Sequence, residues 1–178
     1  MVRLYHGSIA DFDVFKISKE NLRTKEDSLM EGMGIYFSES KKFAESYGTF
    51  IYSVEMNEND CWDCTDEKVL EYFLSEVSKK VNFPVKDYVP HACIDGIISG
   101  DYSVTKFSRE MTMWLDCTES FYSVYTDDAD ELFEKIIDTY EEILSRKKFI
   151  KYYDKSFNCN IYLCRNKEDT VKFEKTTL

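Results

Sequence analysis

At 178 residues, 43% hydrophobic and 16% aromatic, the chain has material for one domain with a real core and too little length for two of ordinary size. That composition excludes a disordered polypeptide, whose few apolar side chains could not offset the entropy lost on ordering. Thirty-four acidic against 23 basic residues, a formal charge of −11, oppose docking on a phosphate backbone and argue against a nucleic-acid partner.

No apolar run approaches the roughly 20 residues that cross a bilayer, and Met1-Val2-Arg3-Leu4-Tyr5-His6 lacks a secretory h-region. A cytoplasmic protein without membrane association is the expectation. Cys61, Cys64, Cys93, Cys117, Cys159 and Cys164 stand singly apart from Cys61-Trp62-Asp63-Cys64, and neither His6 nor His91 has a partner at metal-ligand spacing. Free thiols and no metal are therefore expected. With six Gly and two Pro, no linker and no internal repeat, the chain reads as a single domain over residues 1–178. Nothing in the pattern sets an oligomeric state.

In chain order, Val2–His6 reads as a short strand, and 34–38 and Phe50–Met56 are rich in the aromatic and β-branched residues that suit a pleated surface. Residues 93–99 and 160–164 read the same way. Between the second and third strands, Ser40 to Tyr47 predicts a two-turn helix with Phe43 and Tyr47 at i, i+4 and Gly48 as its stop. A second helix starts at Thr65 as N-cap and buries Val69, Tyr72, Phe73 and Val77. The longest runs from about Asp127 to Arg146, with Ala129, Leu132, Phe133, Ile136, Ile137, Tyr140, Ile143 and Leu144 on one stripe and acidic residues on its outer face. Strands, then helices, then strands predict an α+β domain; Gly-x-Gly-x-x-Gly and P-loop signatures are both missing.

Three segments carry chemistry: Leu4-Tyr5-His6-Gly7-Ser8, Gly34-Ile35-Tyr36-Phe37-Ser38 and Ala44-Glu45-Ser46-Tyr47. Together they resemble the His-Tyr-Glu branch of the ADP-ribosyltransferase superfamily, which contains diphtheria toxin and the poly-ADP-ribose polymerases. In that branch a strand ending in His-Gly-(Ser/Thr) precedes Gly-(Ile/Phe)-Tyr-Phe, and a second Tyr follows eleven residues after the first; Tyr36 and Tyr47 keep that interval. The likeness is dense over residues 1–56. A weaker one, through 94–100, reaches small bacterial transferase-like domains, and the opening looks like that of phage-encoded anti-CRISPR ADP-ribosyltransferases, which points to a bacterial or phage toxin or effector.

The resemblance implies an ADP-ribosyltransferase-like fold of two packed small β-sheets with flanking helices, and NAD⁺ as substrate without a metal. His6, Gly7, Ser8, Tyr36, Phe37 and Tyr47 would bind the dinucleotide, with His6 on the adenine-side ribose. Stacking of Tyr36 and Tyr47 on the nicotinamide would fix its placement, and Gly7, lacking a Cβ, would let its backbone reach the carboxamide. Cleaving the nicotinamide–ribose bond passes through an oxocarbenium-like state that a carboxylate stabilises. The family places a Glu on a late strand for this; here Asn160 is the counterpart and Asp154 the acidic substitute, so His6, Tyr36, Asp154 and Asn160 form the candidate catalytic set. Arg23 and Lys25 could meet the pyrophosphate.

The implied activity is mono-ADP-ribosyl transfer, a pentosyl transfer from NAD⁺ to a protein acceptor with release of nicotinamide. Two other readings stay open: an NAD⁺ glycohydrolase, and a catalytically inactive acidic protein that inhibits a nucleic-acid-binding partner.

Overall fold

The computed structural model describes residues 1–14, 34–108, 110, 129–165 and 173–177. The described residues are a mixed α+β arrangement, as the sequence pattern predicts. Seven strands, β1 (Val2–Ser8), β2 (Ile35–Ser38), β3 (Phe50–Met56), β4 (Cys61–Asp63), β5 (Phe149–Asp154), β6 (Cys159–Cys164) and β7 (Glu174–Thr177), join in the order β4-β5-β6-β2-β1-β3-β7. Helices among the described residues include α1 (Lys41–Glu45), α2 (Glu67–Val81), α3 (Val85–Tyr88), α4 (His91–Ser99) and α5 (Ala129–Ser145).

The expected pair of small sheets is corrected to one hydrogen-bonded sheet, and the register shows why two halves were a natural expectation. β1 pairs with β3 at every residue from Val2↔Met56 to Ser8↔Phe50, and β2 pairs with β6 from Ile35↔Cys164 to Ser38↔Ile161. Between β1 and β2 there is a single antiparallel position, Tyr5↔Ser38. One bridge thus joins β4-β5-β6-β2 to β1-β3-β7.

Residues 93–99, read as a strand, lie in α4. The isoleucines favour a pleated surface in isolation, but Ile94 and Ile97 are buried at helical spacing against the helix core, and this packing overrides local propensity. Gly100 ends the helix at φ +86°, a left-handed conformation that glycine adopts without a Cβ penalty. At α2 the cap is Asp66, whose carboxylate accepts the Lys68 N–H at 3.0 Å; Thr65 instead donates its hydroxyl to Asp63 at 2.5 Å. The helix buries Leu70, Phe73, Leu74 and Val77, while Tyr72 turns outward to meet Arg146. α5 buries Leu132, Phe133, Ile136, Tyr140, Ile143 and Leu144 as its stripe predicts, with Ile137 exposed; Asp127 lies outside the described residues.

These helices pack on the sheet face that carries Ile150. On the opposite face Leu4, Phe37, Tyr52, Val54, Phe149 and Tyr162 form a second apolar cluster, and each such buried side chain contributes about 1.5–3 kcal/mol. Among the described residues no helix is long and apolar enough to cross a membrane.

Candidate active site

A cavity of about 490 Å³ opens where β1 and β2 part, a size usual for small-molecule sites. β1 contributes Tyr5, His6 and Gly7; β2 contributes Tyr36, Phe37 and Ser38. α1 contributes Phe43 and Ala44, followed by Tyr47, and the β5–β6 hairpin closes it with Tyr152, Asp154, Phe157 and Ile161. Residues from opposite ends of the sequence meet because β6 pairs with β2.

His6 holds the two halves together beside the bridge. Its Nδ1 lies 2.8 Å from the Tyr36 carbonyl oxygen; a carbonyl only accepts, so Nδ1 carries the proton and donates. In the neutral ring Nε2 is then an acceptor. Burial lowers the His6 pKa, against the opposing pull of the Tyr36 carbonyl, so the imidazole is neutral near pH 7.

α1 starts at Ser40, whose hydroxyl accepts the Phe43 N–H at 3.1 Å. It packs directly on β1: a Cβ on Gly7 would sit 1.8 Å from the Ala44 carbonyl oxygen. The missing side chain at Gly7 therefore admits the helix backbone, a role different from the expected approach to a carboxamide. Seated this way, α1 presents Phe43 edge-on to Tyr47 at 5.2 Å and to Phe157 at 5.1 Å.

Asp154 ends β5. Its Oδ1 accepts the backbone N–H groups of Ser156 at 2.8 Å and Phe157 at 3.2 Å, which shapes the hairpin turn and carries the carboxylate to the cavity wall. Tyr47 senses it: burial first, then the charge of Asp154, raise the Tyr47 phenol. With His6 neutral, Asp154 is the one formally charged residue among the described lining.

Of the expected site residues, His6, Gly7, Tyr36, Phe37, Tyr47 and Asp154 come together here, and Ser8 and Asn160 do not line the cavity. Asn160, paired with Tyr153, lies on the opposite sheet face from its neighbour Ile161, which does line the cavity. The Ser8 hydroxyl accepts the Ala10 N–H at 3.0 Å as β1 ends. Arg23 and Lys25 lie outside the described residues. Phe157 was missed, although an exposed phenylalanine in a polar four-residue turn was a legible anomaly; Tyr5 and Tyr152 gave no such signal.

No described cysteine lines the cavity. Burial pushes the Cys61 thiol up to about 12 and raises Cys64 as well, which suppresses the reactive thiolate. Among the described residues no group of three or more His, Cys, Asp or Glu is placed to hold a metal ion.

A crystal structure described as that of an anti-CRISPR protein resembles this one at 12% identity over 98% of this chain and 95% of that one, with a TM-score of 0.44. So slight a likeness carries no argument. No curated protein matches the chain. A family model described as ADP-ribosyltransferase in polyvalent proteins matches residues 1–176, spanning the β1 and β2 walls, α1 and the β5–β6 hairpin alike. By that match the chain belongs to the ADP-ribosyltransferase family found in polyvalent proteins.

Proposed function

We propose that the cavity binds NAD⁺ and that the protein transfers its ADP-ribose to a side chain of another protein, releasing nicotinamide. The observation that supports this reading best is the convergence of His6, Tyr36, Tyr47 and Asp154 on one aromatic cavity. Aromatic faces suit a nicotinamide ring, and His6 Nε2 suits a ribose hydroxyl because Nδ1–H is committed to Tyr36. Asp154 supplies negative charge where the ribose develops positive charge as the bond from its anomeric carbon to nicotinamide breaks. Nicotinamide leaves with the bonding electron pair; the acceptor attacks the same carbon, and its proton passes to the Asp154 carboxylate. Asn160, which is not part of the lining, is given no part in this scheme.

The test is to incubate the protein with NAD⁺ labelled on its adenylate half and an acceptor-rich lysate, then follow protein-bound label and free products. Label on protein with stoichiometric nicotinamide supports transfer. Free ADP-ribose without labelled protein would replace transfer by NAD⁺ hydrolysis, and no turnover with no NAD⁺ binding would overturn the reading. Binding itself is read from melting temperature, since NAD⁺ at 100 times its dissociation constant should stabilise the folded state by about 2.7 kcal/mol.

A further inference from the structure

Behind His6, on the face away from α1, the chain leaving β1 folds back over the sheet. Phe12 stacks on Tyr52 with ring centroids 4.1 Å apart and planes 11° from parallel, and Phe173 closes edge-on against Tyr52 at 5.0 Å. Tyr52 is fully buried and is the cross-strand partner of His6. Its hydroxyl accepts the Phe12 N–H at 2.9 Å and shares its one proton between the Ala10 carbonyl oxygen at 3.3 Å and Asp11 Oδ1 at 3.4 Å. Asp11, between them, pairs with Lys175 on β7. The His6 ring thus sits among Phe37 at 5.7 Å, Phe12 at 6.1 Å and Tyr52 at 6.2 Å.

We propose that Tyr52 is a positioning residue for the site: its hydroxyl latches Ala10–Phe12 to the sheet so that Phe12 walls in the imidazole of His6 and fixes it toward the cavity. A tyrosine used only to fill the core would need no hydroxyl at this depth, yet here one buried oxygen takes the Phe12 N–H and offers its proton to acceptors on Ala10 and Asp11. The apolar wall it holds in place is what makes the protonated imidazole costly. Among the described residues, the charged groups on the elements packed around His6 include the following. Asp11 and Lys175 answer each other, with Asp13 beside them; α1 carries Lys41, Lys42 and Glu45 on the opposite face, and Asp154 stands across the cavity. The titratable rings nearby are Tyr5, Tyr36 and Tyr52 itself. Burial and the Tyr36 carbonyl are the causes acting on His6.

The proposal rests on His6 as an NAD⁺ contact, and its test separates the two ideas. His6 and His91 are the chain's two histidines, so their ring protons can be titrated by NMR and assigned with His91→Ala, without NAD⁺. In Tyr52→Phe the His6 midpoint should rise toward the ordinary value of about 6.5, and the acid limb of NAD⁺ affinity should move up with it. Affinity would then fall severalfold at about pH 6 and stay unchanged at about pH 8. A purely structural tyrosine would lower the melting temperature and leave both midpoints in place, and that result overturns the proposal. Phe12→Ala, which keeps the hydroxyl but removes the wall, should shift His6 in the same direction and gives the readout should Tyr52→Phe not fold. An unmoved His6 in that folded variant also overturns it. Absence of NAD⁺ binding by the parent protein would instead sink the reading of the cavity, with the NMR titration still deciding the role of Tyr52.

Discussion

Asp154 serves the β5–β6 turn and the cavity with the same carboxylate, which dictates how it should be mutated. Asp154→Ala would remove the acceptor for Ser156 and Phe157 and confuse turn damage with lost chemistry. Asp154→Asn keeps an Oδ1 acceptor and discards the charge, so turnover should drop by about 10²–10⁴-fold with NAD⁺ affinity nearly unchanged, as single-turnover kinetics and calorimetry would show. Asn160→Ala should leave turnover within about twofold, since only side chains reaching the reacting atoms carry such effects. If Asn160→Ala instead abolishes turnover, Asn160 belongs to the site and this assignment fails. At Gly7 the expectation is steric: Gly7→Ala drives a Cβ to 1.8 Å from Ala44 O, and chemical denaturation should record a loss of about 1–3 kcal/mol. Residue type and spacing single out His6, Tyr36 and Tyr47, which share one cavity lining with Asp154, a residue the sequence offered only as the nearest acid to Asn160. Asp154 and Asn160 stay alternatives in the sequence, because which of them reaches the cavity wall depends on long-range strand pairing and on the β5–β6 turn.

Elements followed the sequence wherever local and tertiary demands agree. β1, β2, β3 and β6 fall within two residues of their expected ends, and α1 starts after Ser40 as expected but ends at Glu45 with Ser46 as its cap, so Tyr47 follows the helix and Gly48 is not its stop. α4 went unrecognised because Ile94, Ile97 and Ile98 suit a strand as residues and a helix by spacing. β4 and β7 are short, and β4 pairs with β5 in parallel, a partner far along the chain that no local signal announces. The start of α2 offers a test of this element-level reading. Asp66→Ala should cost about 1 kcal/mol in urea unfolding by removing the acceptor for the Lys68 N–H. No loss there would return the cap to Thr65.

Across the whole molecule, His6 couples folding to pH. Its pKa is lowered in the folded state, so the unfolded chain binds more protons over the interval between the folded value and about 6.5. Stability should therefore be fully present above about pH 6.5 and fall as the pH drops below it. Melting temperatures from about pH 5 to 8 should show this slope in the parent and a shallower one in His6→Gln, which retains a donor for Tyr36 but cannot titrate. Equal slopes would remove His6 from the pH response. The Nδ1–H bond that sets this coupling also spans a sheet whose halves share one backbone bridge, so truncating His6 to Ala should cost about 1 kcal/mol of stability beside any activity. An evolutionary asymmetry follows. A lineage that abandons catalysis can exchange the acid of Asp154 for its amide at almost no structural expense, whereas discarding His6 loosens the fold. Descendants that have become pure binding proteins should accordingly keep the histidine as a fossil and betray their inactivity at position 154.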